Sequence, residues 1–373
     1  MKILLVTNKV KTYPLMYRLI LDSIHELGHE IIWAADFSKF IGDVSQIPCE
    51  TRQIDINTNP LKPCNIRAFK QITGIIDECK IDGVMCNTPI GSTLARLAAK
   101  KKGVMSVVYT AHGFLFFRGA PLINRTLYKW LEQWLAHYTD TLITITEEDF
   151  MAAQQLNLRN GAKPYLIHGA GIKLGISVSV DREKKRSEIG VPEDAFLIVS
   201  AGELNKNKNT EVMVRALLSI NNPKVHYIAC GVGPEEQNLR LLAKKLGVDN
   251  NFHLLGYRTD VAELMAVSDA FVMMSFREGL PRSIMEAMDM GLPCIGSDTR
   301  GIRDLIDVDK GGYICNPNKP DEFAAAIQKL KSSPELCAEM GAYNKEKVKP
   351  YSCDIVKEEL LDIYGKAFAQ KKN

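Results

Sequence analysis

Short apolar runs alternate with stretches of helical period almost from the first residue. Residues 2–7 form an apolar run of the kind that fills a buried strand. Residues 14–27 carry apolar positions at helical spacing and close on Gly28, a residue suited to a helix C-terminus. The pattern then predicts strand 30–35, helix 66–79, strand 83–87, helix 92–102, strand 104–109, helix 122–138 and strand 141–145. Residues 168–180, HGAGIKLGISVSV, hold three glycines, show no helical period and interrupt the series. It restarts with strand 196–201, helix 209–220, strand 225–230, helix 235–246, strand 252–255, helix 261–266 and strand 270–274. A loop, a helix and a further strand at 292–296 follow, and the tail 334–371 reads as helices without strand signal. Strand and helix alternating at this spacing predict α/β architecture with parallel sheets covered on both faces. The expected organisation is two doubly wound halves facing each other across a cleft, with the glycine-containing break as hinge. The boundaries are 1–170, 171–350 and a C-terminal helix in 351–373 that packs back toward the N-terminal half.

Length agrees with that division, because 373 residues exceed what one core usually supports. Net charge is +3, with 19 Lys/Arg against 15 Asp/Glu over residues 1–168 and 28 against 29 over the rest. That excess is too small to argue for nucleic-acid binding. No apolar run approaches bilayer length, and the start MKILLVTNKV is too soon interrupted for a signal peptide, so a cytoplasmic protein is expected. Nine scattered cysteines without a Cys-x-x-Cys pair fit reduced thiols better than disulfides or zinc. Lys100, Lys101 and Lys102, with the aromatic-rich segment Phe114 to Arg118, have two readings: a solvated helix end, or a patch touching the inner face of a membrane.

Candidate chemistry gathers in residues 275–306, SFREGLPRSIMEAMDMGLPCIGSDTRGIRDLI. Glu278 and Glu286 flank Gly279-Leu280-Pro281-Arg282-Ser283, a turn running into a helix after the strand 270–274. In an open α/β sheet this strand edge is where ligands bind. Pro281 favours a helix start, which puts Glu286 in the first helical turn, and Ser283-x-x-Glu286 also scans as a capping box. Gly279 and Leu280 offer backbone N–H groups suited to phosphate or sugar oxygens. Gly231-Val232-Gly233 lacks the third glycine of a dinucleotide fingerprint, and the first βα turn has no glycine, which argues against a nicotinamide enzyme. Asp307-Val308-Asp309 has the letters of a metal motif but follows a helix in a turn-like segment and reads as surface.

The block from Glu278 to Glu286 resembles the retaining nucleotide-sugar glycosyltransferases of family 4, which have the GT-B fold. Ala201-Gly202-Glu203-Leu204-Asn205-Lys206-Asn207-Lys208-Asn209 resembles the donor-phosphate loop of that family. Thr110-Ala111-His112-Gly113-Phe114 resembles its N-terminal active-site loop, and Gly256-Tyr257-Arg258-Thr259-Asp260 the loop beside the nucleotide base. The likeness is to bacterial members that build capsule, exopolysaccharide or O-antigen. It implies that Glu286 accepts the ribose hydroxyls and that Glu278 lies near the donor sugar and diphosphate. Gly202, Lys206 and Lys208 would hold the leaving diphosphate, Arg258 would stand by the base, and His112 would bond a donor hydroxyl. Phe114, Phe116 and Phe117 are equally an acceptor platform or a buried loop. The sequence departs from the family at Glu203, where many members carry arginine, at Leu115, where relatives often carry a second histidine, and in lacking an N-terminal glycine-rich loop.

The resemblance implies transfer of a sugar from a nucleotide-sugar, a UDP-hexose or UDP-N-acetylhexosamine, to a glycan or lipid-linked glycan acceptor. Retention, no metal, no cofactor, no nucleic acid and peripheral membrane association through the N-terminal domain complete the expectation. Two other readings stand beside it: a nucleotide-sugar epimerase on a similar frame, and a catalytically silent nucleotide-sugar-binding protein.

Overall fold

The computed structural model describes residues 1–369. The chain forms two compact units, Met1–Gly171 together with the chain from Cys353 onward, and Ile172–Ser352. The first unit carries β1 (Lys2–Lys9), β2 (Glu30–Asp36), β3 (Glu50–Gln53), β4 (Gly83–Cys86), β5 (Ser106–Ala111), β6 (Thr141–Thr144) and β7 (Tyr165–Leu166). Its helices are α1 (Leu15–Glu26), α2 (Cys64–Glu78), α3 (Pro89–Lys102), α4 (Lys129–Ala136) and α5 (Glu147–Ala153). The strands pair in parallel in the order β3-β2-β1-β4-β5-β6-β7.

The second unit carries β8 (Phe196–Ala201), β9 (Val225–Cys230), β10 (Phe252–Leu254), β11 (Ala270–Met273), β12 (Cys294–Ser297) and β13 (Gly312–Cys315), in the parallel order β10-β9-β8-β11-β12-β13. Its helices are α6 (Arg182–Glu188), α7 (Glu211–Ile220), α8 (Glu236–Lys245), α9 (Val261–Ala266), α10 (Arg282–Asp289), α11 (Ile302–Leu305), α12 (Pro320–Lys331) and α13 (Pro334–Lys347). Helix α14 (Cys353–Ala367) follows and belongs to the first unit. No helix among the described residues is long and apolar enough to cross a membrane.

Parallel strands covered on both faces must be apolar at nearly every position. Accordingly β4, β9 and β11 are buried throughout, and helix faces complete the cores around them. Each sheet reverses its winding once, between β1 and β4 in the first unit and between β8 and β11 in the second. Loops leaving those strand ends diverge to opposite faces and open a crevice there.

Several elements differ from the sequence expectation for local reasons. The strand expected at 104–109 runs over Ser106–Ala111, because Gly103 closes α3 in a left-handed turn and Val104 N–H bonds back to the Ala99 carbonyl. Strands β3, β7 and β13 escaped the apolar pattern: β3 is a half-exposed ETRQ, β7 is two residues long, and β13 begins on glycine. The helix expected at 122–138 is a π turn, Asn124–Tyr128, leading into α4. The tail is helical over α13 and α14, while its expected end at Lys371 lies outside the described residues.

The tail is fastened to the first sheet by fit. Phe368 is 1% exposed, and a Cβ at Gly83 would lie 2.7 Å from its ring. Beside it the Ser106 hydroxyl donates to the Ala367 carbonyl at 2.7 Å. Phe368→Ala is expected to cost about 3–5 kcal/mol through the cavity it leaves, read as a lower midpoint in denaturant or thermal unfolding. Gly83→Ala should also destabilise, by forcing the ring aside; unchanged midpoints for both would show that this fit does not hold the tail.

Candidate functional site

At the second switch point two loops meet. The loop after β8 carries GELNKNKN, and its own amides shape it. Asn205 Oδ1 accepts from the Lys208 backbone N–H at 3.0 Å, and Asn209, at φ 54°, donates to the carbonyls of Met274 and Pro317. Asn207 donates to the Arg277 carbonyl at 2.9 Å, and its own carbonyl accepts from Phe276 N–H at 2.8 Å. The three asparagines thus tie the lysine loop to itself and to the loop after β11 with neutral groups. Lys208 Nζ then lies 2.7 Å from Glu278 Oε1, with both side chains largely buried.

Close backbone approaches hold these loops from behind. A Cβ at Gly231 would sit 1.9 Å from the Gly202 carbonyl oxygen, so the Gly231-x-Gly233 pair is a packing seam against the lysine loop. On the other side, Gly301 at φ 45° passes so near the Gly279 carbonyl that a Cβ would lie 1.4 Å from its oxygen. Arg300 Nε donates to the Glu278 carbonyl at 3.0 Å, and Ser297 Oγ to the Ser275 carbonyl at 2.5 Å. Arg300, Ser297, Gly301 and Asn207 position Glu278, and sequence reading gave none of them a role. Ser297 ends the neighbouring strand β12, Arg300 and Gly301 lie in the loop after it, and Asn207 lies in the loop after β8, so only the strand order brings them to Glu278.

Gly279 and Leu280 follow Glu278 in a half-buried turn, and Pro281 is the N-cap of α10 at φ −77° and ψ 120°. This corrects the sequence reading of Glu286. The helix proper begins at Arg282, so Glu286 stands in its second turn, and no side chain caps the helix, which removes the capping box. Glu286 is half-buried; burial raises its carboxyl above the usual range, against the opposing pull of Arg282 at 3.2 Å.

The remaining candidates are more scattered. Arg258 follows β10 at the same sheet edge but is held by Asp260 at 2.5 Å and Glu188 at 2.7 Å, in a cluster with Lys185 and Glu263. Arg258 foremost holds the Asp260 carboxyl well below the usual range. Lys206 lines a separate cavity of about 440 Å³ with Arg215, Asn238, Phe276 and Asn318. Asp307 pairs with Lys347 at 2.5 Å.

His112 belongs to the first unit, directly after β5. Its Nε2 is enclosed without a hydrogen-bond partner, and burial pushes the imidazole down to about 4, so the ring is neutral at pH 7. Phe114 is buried and stacks on Phe116 at 4.8 Å, and its N–H donates to Asp149 at 3.1 Å. These two rings belong to the core rather than to an open platform.

Because the folded-state value of His112 lies below the ordinary 6.5, the unfolded chain holds more protons between about pH 4 and 6.5. Stability is therefore lost as pH falls through that window. Relative to His112→Gln, the parent should lose roughly 3 kcal/mol between pH 7 and pH 4, measured by denaturant unfolding across a pH series. Parallel curves would show that His112 does not titrate in this range.

Comparison with known proteins identifies the family and the fold. Residues 181–347 match the family "Glycosyl transferases group 1", and residues 18–168 match "Glycosyltransferase Family 4". EpsD of Bacillus subtilis (strain 168), which bears the name of a glycosyltransferase, is 36% identical over 323 residues, 85% of this chain and 84% of that protein. The UDP-Gal:alpha-D-GlcNAc-diphosphoundecaprenol alpha-1,3-galactosyltransferase of Escherichia coli is 28% identical over 71% of this chain and 72% of its own. The crystal structure of HepE from Anabaena in complex with UDP superposes with a TM-score of 0.77 at 19% identity, over 98% of this chain and 100% of that one. With a switch-point lysine and glutamate in one unit and two doubly wound parallel sheets, the chain belongs to the GT-B glycosyltransferases of family 4.

Proposed function

We propose that the protein transfers a hexose or N-acetylhexosamine from a UDP-sugar to a lipid-linked diphosphate sugar, at the inner face of a membrane, in the assembly of a surface polysaccharide. The observation that carries this reading is the Lys208–Glu278 pair at the β8/β11 switch point. The E. coli relative acts on such a donor and acceptor, and HepE holds UDP, which supports the same substrate classes here.

In this reading the pair is the resting state of a diphosphate site. Lys208 has three donors and directs one at Glu278. An arriving diphosphate brings more negative charge than one carboxylate and takes over the ammonium. Glu278 is then left beside the sugar, its backbone still held by Arg300. As the bond between the anomeric carbon and the diphosphate oxygen breaks, charge grows on the leaving group. A lysine whose loop is already fixed stabilises that charge without reorganising. The acceptor oxygen bonds the anomeric carbon on the face the diphosphate leaves, and its proton passes to the departing phosphate. Glu286 binds the ribose hydroxyls from α10, and Lys206 and Arg258 lie further out along the donor. Neutral His112 offers a ring nitrogen to a hydroxyl. The Lys208 charge supplies what a divalent ion supplies elsewhere, so the reaction proceeds without one.

Lys208→Ala is expected to lower kcat/KM by about 10²–10³-fold, and Glu278→Gln to lower kcat while UDP still raises the thermal midpoint. Activity retained in both variants would sink the reading. With a defined donor and acceptor, proton NMR should show the donor's anomeric configuration kept in the product; inversion would overturn the retaining step. Conversion of a UDP-sugar without acceptor would instead point to an epimerase. Binding of UDP-sugars without turnover would point to a silent protein, in keeping with Glu203 standing where relatives carry arginine.

A further inference from the structure

Large apolar side chains are exposed along one segment of the first unit. Leu122, Ile123, Leu127, Trp130 and Trp134 are 75%, 58%, 52%, 59% and 38% exposed. The last four follow one another at spacings of four, three and four, so they form one stripe along the π turn and α4. From 122 to 134 the stripe is about 18 Å long at helical rise. The other side of the helix is committed to the fold. Leu135 and Ala136 are buried, and Glu132 is gripped by both terminal nitrogens of Arg96, a side chain 1% exposed.

The exposed charged side chains from residue 118 to 134 have one sign. Arg125 and Lys129 are exposed on the same segment, and Arg118 is exposed just before it. Lys100, at the end of α3, sets its ammonium 5.8 Å from the Trp134 ring and 4.0 Å from the Tyr138 ring. Residues 122–137 contain a single acid, Glu132, and Arg96 neutralises it.

This pattern selects the occupant. A second copy of the chain would bring the same cations face to face across a stripe too narrow to separate them. An anionic bilayer satisfies both parts at once. Indole rings and aliphatic side chains settle at interfacial depth, while lysine and arginine reach the headgroups. We propose that residues 122–134 form a docking surface for a bilayer containing anionic phospholipid. The proposal rests on the reading of a lipid-linked acceptor, since it supplies the means by which the protein meets a substrate held in a membrane.

The protein carries its own probe. Of its three tryptophans, Trp33 is fully buried with its N–H on Thr7, so a change in emission on docking comes from Trp130 and Trp134. Vesicles of phosphatidylcholine with phosphatidylglycerol should pellet the full-length protein and shift its fluorescence to the blue, less so at high salt. Vesicles of phosphatidylcholine alone should bind at least about tenfold more weakly. Arg125→Gln and Lys129→Gln should each weaken binding about fivefold. Leu127→Ser with Trp130→Ser should abolish pelleting while leaving the thermal midpoint, and transfer to a short-chain water-soluble acceptor, unchanged. Absence of pelleting by the parent protein, or equal pelleting of the double variant, would overturn the proposal. So would self-association in sedimentation velocity that the double variant abolishes, which would assign the stripe to a second copy. Lack of transfer with every UDP-sugar would remove the transferase reading, whereas vesicle binding is read without any activity.

Discussion

Lys208 and Glu278 lie seventy residues apart and meet because β8 and β11 are neighbours where the strand order reverses. The rest of the site depends on that adjacency. The chain leaves β8 toward β9 and β10 on one side and returns to β11 on the other, so the two loops at the junction have no strand between them. Each brings a charge into a partly enclosed space. Either charge alone would be poorly solvated there, and the pair offsets that cost. Nothing in the pair fixes the loops themselves. Their geometry is set by Asn205, Asn207 and Asn209 on one side and by Arg300, Ser297 and Gly301 on the other. The charge contact can therefore be exchanged for another without the scaffold coming apart.

Two of the cations at this sheet edge, Arg258 and Lys208, have unlike surroundings, and the difference follows from their chemistry. Arg258 has a planar set of donors and is satisfied by two carboxylates, with Lys185 binding the same acids. Its cluster is nearly neutral and stiffens the loop after β10. Lys208 is a compact charge on a flexible stem and is matched by one carboxylate. An anion gains more by approaching the second kind of cation than the first. Lysine, not arginine, is thus the group at this edge that is poised to change partner.

How far the sequence was legible depended on the range of the interactions involved. Strands such as Phe196–Ala201 and Val225–Cys230 were readable to the residue, because burial on both faces leaves a nearly continuous apolar run, interrupted only by Ser200 and His226. Edge strand β3 was not, because a half-exposed strand need not be apolar. Glu278 and Lys208 could be singled out through a family likeness, but their mutual contact could not, since it exists only once strand order is known. Glu286 stands a turn later than the sequence predicts, because Pro281 adopts an extended cap conformation and the helix begins only at Arg282. Arg300 and Gly301 carried no local signal at all. Their roles are a hydrogen bond to one carbonyl and a close pass by another, and neither leaves a trace in periodicity.

The first unit shows how a helix can be fixed while one of its faces stays unused by the fold. Apolar burial resists rotation of a helix only weakly, because one aliphatic contact substitutes readily for another. A bidentate ion pair does not permit that substitution. Arg96 lies over the Tyr109 ring with its centre 4.2 Å away, donates back to the Ser92 carbonyl and holds both oxygens of Glu132. Rotating α4 would leave a buried guanidinium without its acid, a far larger cost than moving an apolar side chain. The direction in which Ile123, Leu127, Trp130 and Trp134 project is thus set by a polar contact on the opposite side of the helix. Trp134 packs edge-on against Tyr138, but Ile123, Leu127 and Trp130 are more than half exposed, so their apolar character answers to whatever lies against that face.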